Sequence, residues 1–231
     1  MQNANLYRLM TWLSPSFPVG AYAYSHGLES AVDAGLVLDS HSLLCWVKSI
    51  VQDGSGRVDA ILFCAAFRAI NDGDQQTRTL RLWEIVEMSA AMRGTSELAD
   101  ESKALGRAFL GTVRVAWPST ELELLIAGLE QEMITYPVAV AIVCAVSEIS
   151  IENAITAYLH AFASNLVSVG VRLIPLGQSE GQKVLADLEE VALVAALAAQ
   201  QCFIEDVGSA TPLVDWTSMR HETQYTRLYR S

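Results

Sequence analysis

The chain has 231 residues, enough for one large domain or two small ones, and 52% of its residues are hydrophobic. With 18% charged residues, it has the composition of a folded protein rather than of a disordered chain. The net charge of -11 argues against nucleic acid as a main partner, because binding to phosphates requires lysine and arginine.

The N-terminal residues "MQNANLYRLMTW" contain no basic stretch followed by an apolar run, so they do not resemble a signal peptide. The longest apolar run lies at 137–146 and is far shorter than the ~20 residues that cross a membrane. These features predict a cytoplasmic protein.

A segment rich in prolines and glycines follows at 14–32 and leads into a helix. It carries two tyrosines, Tyr22 and Tyr24, and the neighbouring pair Ser25 and His26. The pair is no catalytic dyad by adjacency alone, because neighbouring residues on a helix point in different directions.

Helical periodicity recurs along most of the remaining chain, whereas the alternating pattern of a β-strand is scarce. Within 151–169, apolar residues recur at steps of three and four, so that they share one helix face. The 182–201 segment repeats this pattern. Many of the helical segments are rich in alanine, which favours helix and lets helices pack closely.

Turn-forming residues mark the ends of the predicted helices at 69–76, 116–120 and 174–181. Two helix starts have the spacing of a capping box, in which side chains satisfy free backbone amides. These pairs are Thr120 with Glu123 and Ser179 with Gln182. Pro137 suits the first turn of a further helix.

These patterns predict an all-α fold, a single helical-bundle-like domain over 1–231 with about ten helices and no significant β-sheet. We find no linker or internal repeat that would divide the chain. The surplus of apolar residues suits a large core or an interface between subunits, and two-fold homodimers are the commonest assemblies. We therefore expect a homodimer.

The cysteines and the paired acidic residues both have ordinary structural interpretations. The four cysteines are far apart and lie in apolar helical contexts, so we expect buried, reduced thiols: Cys45, Cys64, Cys144 and Cys202. Acidic pairs such as Asp100 with Glu101 and Glu189 with Glu190 are expected on solvated helix faces.

The stretch "GQSEGQK" at 177–183 resembles a phosphate-binding loop only superficially. The Walker pattern places four residues between its glycines and then Gly-Lys-Ser/Thr, so that amides and lysine converge on phosphates. Here three residues separate Gly177 from Gly181, and Gln182 precedes Lys183. A nucleotide is therefore expected on a partner rather than on this chain.

The stretch "HETQY" begins like the helix of a zinc protease, which requires His-Glu-x-x-His. The fifth position is Tyr225, so the second histidine ligand is missing. The other histidines are scattered and form no metal-binding pattern: His26, His41 and His160. There is also no nucleophile elbow, so the sequence predicts no catalytic residues.

The C-terminal residues 217–231 differ in composition from the acidic body of the chain. They carry three arginines against one glutamate, whereas 178–206 has one lysine against six acidic residues. Arginine and tyrosine are enriched at interaction hot spots. Two arrangements are open, a tail that docks on a partner and a tail that folds back on its own acidic helices.

Four stretches of this sequence together resemble the UreF family of urease accessory proteins. They are "LSPSFPVGAYAYSHGLESAVDAG", "RGTSELADESKALGRAF", "NLVSVGVRLIPLGQSEGQKVL" and "GSATPLVDWTSMRHETQYTRLYRS". The resemblance runs in order from about residue 6 to the last residue, while 36–80 and 110–150 match only in helical character. Trp216 and Thr217 depart mildly from the expected small or aliphatic residues.

The resemblance implies a non-catalytic chaperone for nickel insertion into urease. It implies binding to UreD (UreH in some systems), recruitment and regulation of the GTPase UreG, and delivery of nickel to apo-urease. Nickel and GTP are then handled by the complex, with no cofactor bound by this chain, and His221 is at most a weak, transient metal contact. The alternative is a metal-dependent hydrolase with His221 and Glu222 as ligands.

We predict that the tail becomes ordered on binding and creates the surface for the GTPase. Arg227 is the favoured contact within it, because a planar guanidinium binds directionally. Tyr22 is the neighbouring anchor in the N-terminal segment. The full set of predicted partner-binding residues is Tyr22, Tyr24, Met219, Arg220, His221, Glu222, Tyr225, Arg227, Leu228, Tyr229 and Arg230.

Overall fold

The computed structural model describes residues 2–71 and 73–231. Over these residues it contains twelve α-helices, three short 3-10 helices and no β-strand, which confirms the all-α class. The helices are α1 (Gln2–Trp12), α2 (Leu28–Asp33), α3 (Ser40–Asp53), α4 (Ser55–Asn71), α5 (Gln75–Ala91), α6 (Ser96–Ala116), α7 (Thr120–Ile126), α8 (Tyr136–Val146), α9 (Ile151–Leu173), α10 (Gln178–Asp187), α11 (Glu189–Gln201) and α12 (Pro212–His221).

The structure has more helices than the sequence predicts, for two reasons. Helices α2 and α7 have only six and seven residues, so the sequence marks where they begin but they are too short to stand out as separate periodic segments. The 182–201 segment, in addition, is two helices, because the chain turns at Leu188 between α10 and α11. The predicted 69–76 turn separates α4 from α5, although its Asp72 lies outside the described residues.

Two predicted helix caps are displaced by one or two residues. The cap of α7 is Ser119 rather than Thr120, and its hydroxyl accepts a hydrogen bond from the amide of Leu122. The cap position of α10 is Gly177, whose amide donates to the carboxylate of Glu180 at 3.0 Å. Pro137 lies in the first turn of α8, as predicted.

The hydrophobic core consists of two clusters that share one long helix. Helices α4 and α8 pack together at the centre of the larger cluster, and residues 137–145 of α8 are all buried. The smaller cluster gathers residues of α2, α3, α10 and the chain after α12. Helix α9 contributes Ile155 and Leu159 to the larger cluster and Leu166 and Val169 to the smaller one.

Helix α9 is also long and apolar enough to cross a membrane by length and composition alone, with a mean hydropathy of 1.3. Half of its most apolar window is buried inside the fold. Its apolar character is thus accounted for by packing against α4, α8 and α11.

An ion pair lies inside the larger cluster. Arg93, in the turn after α5, donates to the Asp59 carboxylate at 2.6 Å, and both side chains are almost fully buried. The hydroxyl of Tyr158 donates to the other oxygen of Asp59 at 2.7 Å. Burial and the nearby Asp59 carboxylate raise the pKa of Tyr158. We call these three residues the core network.

The cysteines are all free, but not all are buried. Cys64 and Cys144 lie in the core, and burial raises the pKa of the Cys64 thiol to about 12. Cys202 is half-buried and Cys45 is exposed. The prediction of burial was wrong for Cys45 because it lies on the outward side of α3, beside His41.

Candidate partner-binding site

The C-terminal part of the chain packs against the segment before α2 and the start of α6. The backbone turns sharply at His26 and Gly27, with φ angles of 56° and 77°. A Cβ on Gly27 would lie 2.9 Å from the amide nitrogen of Ser218. Glycine therefore provides both the left-handed turn and the close approach of α12.

The residues after α12, 222–231, follow the same face through turns and bends, and we call this segment the strap. The amides of Leu228 and Tyr229 donate to the two carboxylate oxygens of Glu29 at 2.8 and 3.0 Å. The amide of Arg230 donates to the carbonyl of Ala23 at 2.8 Å. Backbone hydrogen bonds and one carboxylate of α2 thus hold the strap against the body.

At the start of the strap, His221 lies between two carboxylates. Its Nδ1 is 2.7 Å from Oε2 of Glu97, and its Nε2 is 3.1 Å from Oε2 of Glu29. The imidazole is fully buried, and the two glutamates are nearly so. We call these three residues the His221 clamp.

A second pair of polar contacts lies at the other end of the strap. The hydroxyl of Ser231 donates to Glu101 at 2.5 Å, and Nδ1 of His26 lies 3.5 Å from the other oxygen of this carboxylate. The other ring nitrogen of His26, Nε2, is 2.5 Å from the hydroxyl of Ser55. The strap is therefore anchored to α6 at both ends.

Two arginines complete the attachment. Arg227 donates to Oε1 of Glu97 at 2.8 Å, so one oxygen of this glutamate contacts the strap and the other contacts His221. The guanidinium of Arg172, on α9, lies over the ring of Tyr229 at 5.2 Å. Burial raises the pKa of the Tyr229 hydroxyl.

The outer side of α12 and the strap carries large apolar side chains that contact solvent. Tyr225 is completely exposed, and Leu228, Met219 and Trp216 are largely exposed. Arg220 lies over the Trp216 ring at 5.0 Å. Tyr22 is exposed on the neighbouring N-terminal segment, and its carbonyl accepts from Arg172 at 3.4 Å. We call these exposed apolar and cationic residues the docking surface: Tyr22, Trp216, Met219, Arg220, Tyr225 and Leu228.

The predicted partner-binding residues divide into two groups. Eight are exposed and available to a partner: Tyr22, Met219, Arg220, Glu222, Tyr225, Arg227, Leu228 and Arg230. Three are buried in the fold, namely Tyr24, His221 and Tyr229. A role of these three in direct partner contact disagrees with their burial. For His221 and Tyr229 the contacts with Glu29 fit a role in holding the strap instead.

The structure also changes the description of the predicted tail. Residues 217–221 are the last turn of α12, and Thr217, Ser218 and His221 are fully buried. The remaining residues fold back on the chain's own acidic side chains, the second arrangement left open by the sequence. The hypothesis that the tail becomes ordered only on a partner differs from this packing, because Glu29 and Glu97 already supply the acceptors for its donors.

The same geometry bears on metal binding. Both nitrogens of His221 face carboxylates, and the two glutamates lie at opposite ends of the ring. They therefore do not converge with an imidazole nitrogen on one point. Glu222 is exposed and accepts from the hydroxyl of Ser96 at 2.7 Å. Over residues 2–71 and 73–231, we find no group of three or more potential metal ligands.

The sequence did not identify the acidic residues that hold the strap. Glu29 and Glu97 lie within the family-like stretches, but their partners are far away along the chain. Glu101 was assigned to a solvated helix face together with Asp100, whereas the structure buries Glu101 and exposes Asp100. The one sequence feature that could have indicated burial of these glutamates is their position next to small residues, which permit close helix packing.

A cavity of about 420 Å³ opens next to these contacts. Its lining includes Tyr22, His26, Glu101 and Arg172. Of these, Glu101 and Arg172 also contact the strap, through Ser231 and Tyr229. The lining mixes charged and apolar groups from the N-terminal segment, α6 and α9.

Two comparisons with known proteins, one with family models and one with individual proteins, agree on the same family. A family model described as UreF matches residues 37–189, which include the middle of the chain where the motifs resembled the family only weakly. A protein of Bradyrhizobium sp. (strain BTAi1) named urease accessory protein UreF is 48% identical over 98% of this chain and 92% of its own length.

Two further proteins with the same name extend this similarity through the strap. That of Rhodopseudomonas palustris (strain BisB5) is 44% identical over 100% of this chain and 93% of its own length. That of Granulibacter bethesdensis is 45% identical over 99% of this chain and 95% of its own length. The chain therefore belongs to the UreF family of urease accessory proteins.

Proposed function

We propose that this chain is a non-catalytic scaffold for assembly of the nickel centre of urease. In this role it joins UreD, called UreH in some systems, and recruits and regulates the GTPase UreG on apo-urease in the cytoplasm. The names of its relatives support a role in urease maturation. The identity of the partners rests on the resemblance of the motifs.

The docking surface is the observation that carries this proposal. Aromatic and aliphatic side chains that remain exposed together are typical of protein interaction sites. Tyr225 and Leu228 lie on the outside of the strap, while its inner side is fixed by Glu29. The surface is therefore preformed, which lowers the entropy lost on binding.

The charges around this surface favour an acidic partner. Arg220 and Arg230 are exposed, and Arg227 uses one of its donors on Glu97. Arginines of this kind bind carboxylates with directional hydrogen bonds and are common hot spots. The end of α12 and the strap together carry these three arginines against Glu222, on a chain with a net charge of -11.

The sharpest test uses Tyr225, because its side chain is exposed completely and its loss leaves the fold of this chain intact. We expect Tyr225→Ala to reduce copurification with UreD and UreG and to reduce urease activation in cells. Tyr7→Ala is the matched control, since Tyr7 is an exposed tyrosine on α1. Equal capture of the partners by both variants would contradict the proposed surface.

Arg227 and Tyr22 are the predicted hot spots within the surface. Replacing either with alanine is expected to weaken partner binding by about 1–4 kcal/mol. Because Arg227 also donates to Glu97, replacing it is expected to weaken the attachment of the strap as well as the contact with the partner. Tyr22→Ala helps to separate these effects, because the hydrogen bond from Arg172 is to the backbone carbonyl of Tyr22, which the substitution keeps.

In this proposal nickel and GTP are handled by the complex, and the isolated chain binds no nucleotide and hydrolyses no substrate. The alternative, a hydrolase that uses His221 and Glu222, gains no support from a ring whose nitrogens both face other residues. Calorimetry with GTP and with nickel tests this point. A tight, stoichiometric site for either ligand on the isolated chain would contradict the scaffold.

The predicted homodimer also belongs to this proposal. Helix α11 exposes Leu193, Val194 and Leu197 beyond its acidic first turn, and Phe203 is exposed after the helix ends. Such a face suits a dimer built by helix packing. Analytical ultracentrifugation tests the dimer, and a monomer at high protein concentration would argue against it.

A further inference from the structure

Helix α3 carries one histidine and one cysteine on the same exposed face. His41 and Cys45 are four residues apart, so their side chains are neighbours on adjacent turns of the helix. Nε2 of His41 is 3.8 Å from Sγ of Cys45, and both side chains are exposed. Leu43, Trp46 and Val47 are buried on the other face of α3. We call His41 and Cys45 the α3 pair.

The backbone under the pair is fixed by the start of the helix. The carboxylate of Asp39 caps α3 and accepts hydrogen bonds from the amide of Ser42 at 2.8 Å and from its hydroxyl at 2.6 Å. The hydrogen bonds from Ser42 hold the pKa of Asp39 below its ordinary value. This carboxylate is therefore committed to the cap, and the α3 pair supplies two free donor atoms on a rigid turn.

The distance between these two atoms is close to the one that a tetrahedral metal ion spans. Zinc binds a thiolate sulfur at about 2.3 Å and an imidazole nitrogen at about 2.0–2.1 Å. At the tetrahedral angle these bonds place sulfur and nitrogen about 3.6 Å apart, whereas at the right angle of a square-planar ion they place them about 3.1 Å apart. The 3.8 Å of the α3 pair therefore fits tetrahedral coordination better.

The chemistry of the two donor atoms selects the class of ion. Thiolate and imidazole are ligands of zinc and similar borderline ions, whereas calcium and magnesium bind to oxygen. Two ligands four residues apart on one helix face are also the arrangement by which a zinc-protease helix holds its metal. Histidines alone form no metal-binding pattern in this sequence, but His41 has a cysteine as its second donor.

We propose that the α3 pair is a surface binding site for a tetrahedral divalent metal ion of the zinc type, with Sγ of Cys45 and Nε2 of His41 as its protein ligands. Binding releases the thiol proton of Cys45, because the thiolate is the form that ligates a metal. Over residues 2–71 and 73–231 no third potential ligand joins the pair, so water fills the remaining positions. Two protein ligands hold the ion weakly, which is compatible with a chain that stores no nickel.

The other thiols of the chain lack this arrangement. Cys64 and Cys144 lie in the core, and burial raises the pKa of both thiols and keeps them protonated. Cys202 is half-buried, and Nη1 of Arg57 lies 3.9 Å from its sulfur. A guanidinium at this position repels a metal cation. Cys202 is thus the matched control for Cys45.

The test uses Co²⁺ as the probe, in the full-length protein with its thiols kept reduced by a phosphine. Co²⁺ occupies tetrahedral zinc sites, and its absorption spectrum reports both a thiolate ligand, through a charge-transfer band, and tetrahedral geometry, through intense d–d bands. We expect both signals on titration, saturation at one Co²⁺ per chain, and loss of both signals when excess Zn²⁺ is added.

Variants of the two ligands sharpen the result. Cys45→Ser should abolish the charge-transfer band. His41→Gln should weaken Co²⁺ binding by at least about tenfold, because the loss of even an outer-shell partner typically costs a metal site that much. Both positions are exposed, so the circular-dichroism spectrum should be unchanged. Cys202→Ser, and His160→Gln at an exposed histidine of α9, should behave as the wild type.

Four results would overturn the proposal. They are the absence of a thiolate band in the wild type, a band that survives Cys45→Ser, an affinity that His41→Gln leaves unchanged, and the weak d–d absorption of six-coordinate cobalt. Saturation at one ion per two chains would also contradict it, because a second chain would then supply the ligands assigned to water.

The α3 pair goes beyond the proposed scaffold function and fails independently of it. If Tyr225→Ala leaves partner capture unchanged while the cobalt bands require Cys45, the docking surface is wrong and the α3 pair stands. If Tyr225→Ala reduces capture while cobalt gives no thiolate band, the α3 pair is wrong and the docking surface stands.

Discussion

The core network and the His221 clamp are both buried sets of charges, yet they differ in what can change them. In the core network, Arg93 and Asp59 are buried in the middle of the fold, beside Tyr158 of α9. In the clamp, His221 and the two glutamates lie beneath the strap, which contacts both glutamates. The first network can therefore be disrupted only by opening the core, whereas we expect that the second can be broken without unfolding the helices around it.

The core network and the His221 clamp also differ in how easily water can reach them. The core network lies among α4, α9 and the turn after α5, so its charges cannot reach water unless the core opens. The clamp is covered mainly by the strap, a segment without regular secondary structure. When the strap leaves, Glu29 and Glu97 regain water. A buried charge that can be rehydrated locally costs much less to disrupt than one that cannot.

Asp59→Ala is expected to have the largest effect, because it leaves Arg93 buried without its carboxylate. Loss of one partner of a buried ion pair typically costs about 3–5 kcal/mol. Urea denaturation followed by circular dichroism measures the free energy of unfolding. Asp100→Ala, at an exposed aspartate of α6, is the control and should change it by less than about 0.5 kcal/mol. Similar effects of both substitutions would show that the buried ion pair of the core network does not stabilise the fold more than an exposed charge does.

Deletion of the strap, residues 222–231, is expected to have a smaller effect. The released glutamates are rehydrated, so the main loss is the buried surface of Tyr229, about 2 kcal/mol. The helical circular-dichroism signal should be retained, since the deleted residues form no helix. A longer deletion from residue 217 also removes the buried end of α12 and should destabilise the protein further. Complete unfolding on removal of 222–231 alone would show that the clamp is as permanent as the core network.

The contrast between the two regions also explains what could be predicted from the sequence. The fold class follows from local periodicity, and the apolar pattern at 151–169 correctly predicts α9. The clamp depends on three residues that are far apart along the chain, and no local pattern connects Glu29, Glu97 and His221. Adjacent residues of α6 show the same limit, because Asp100 and Glu101 are equivalent in the sequence and only their directions on the helix separate them.

The arginines and tyrosines of the C-terminal residues were correctly identified as unusual for this acidic chain. Their composition could not decide between a partner and the chain's own body as the binding site. The structure shows that one segment has two sides, with Tyr229 directed inward and Tyr225 outward. The position of each side chain relative to Glu29 determines this, and it is a property of the tertiary fold.

The smallest expected effect concerns the ion pair between Arg227 and Glu97, and it shows how far the clamp differs from an ordinary surface pair. Arg107 and Glu132 form such a pair at 2.5 Å, with side chains 50% and 78% exposed. In the strap pair, Glu97 is only 13% exposed and already contacts His221. We expect a coupling energy of about 1 kcal/mol for Arg227 with Glu97 and of about 0.3 kcal/mol for the surface pair. Double-mutant cycles on the free energy of unfolding, with alanine for each arginine and glutamine for each glutamate, measure both values. Equal coupling energies would mean that the burial of Glu97 adds nothing and that the strap is held like any surface segment.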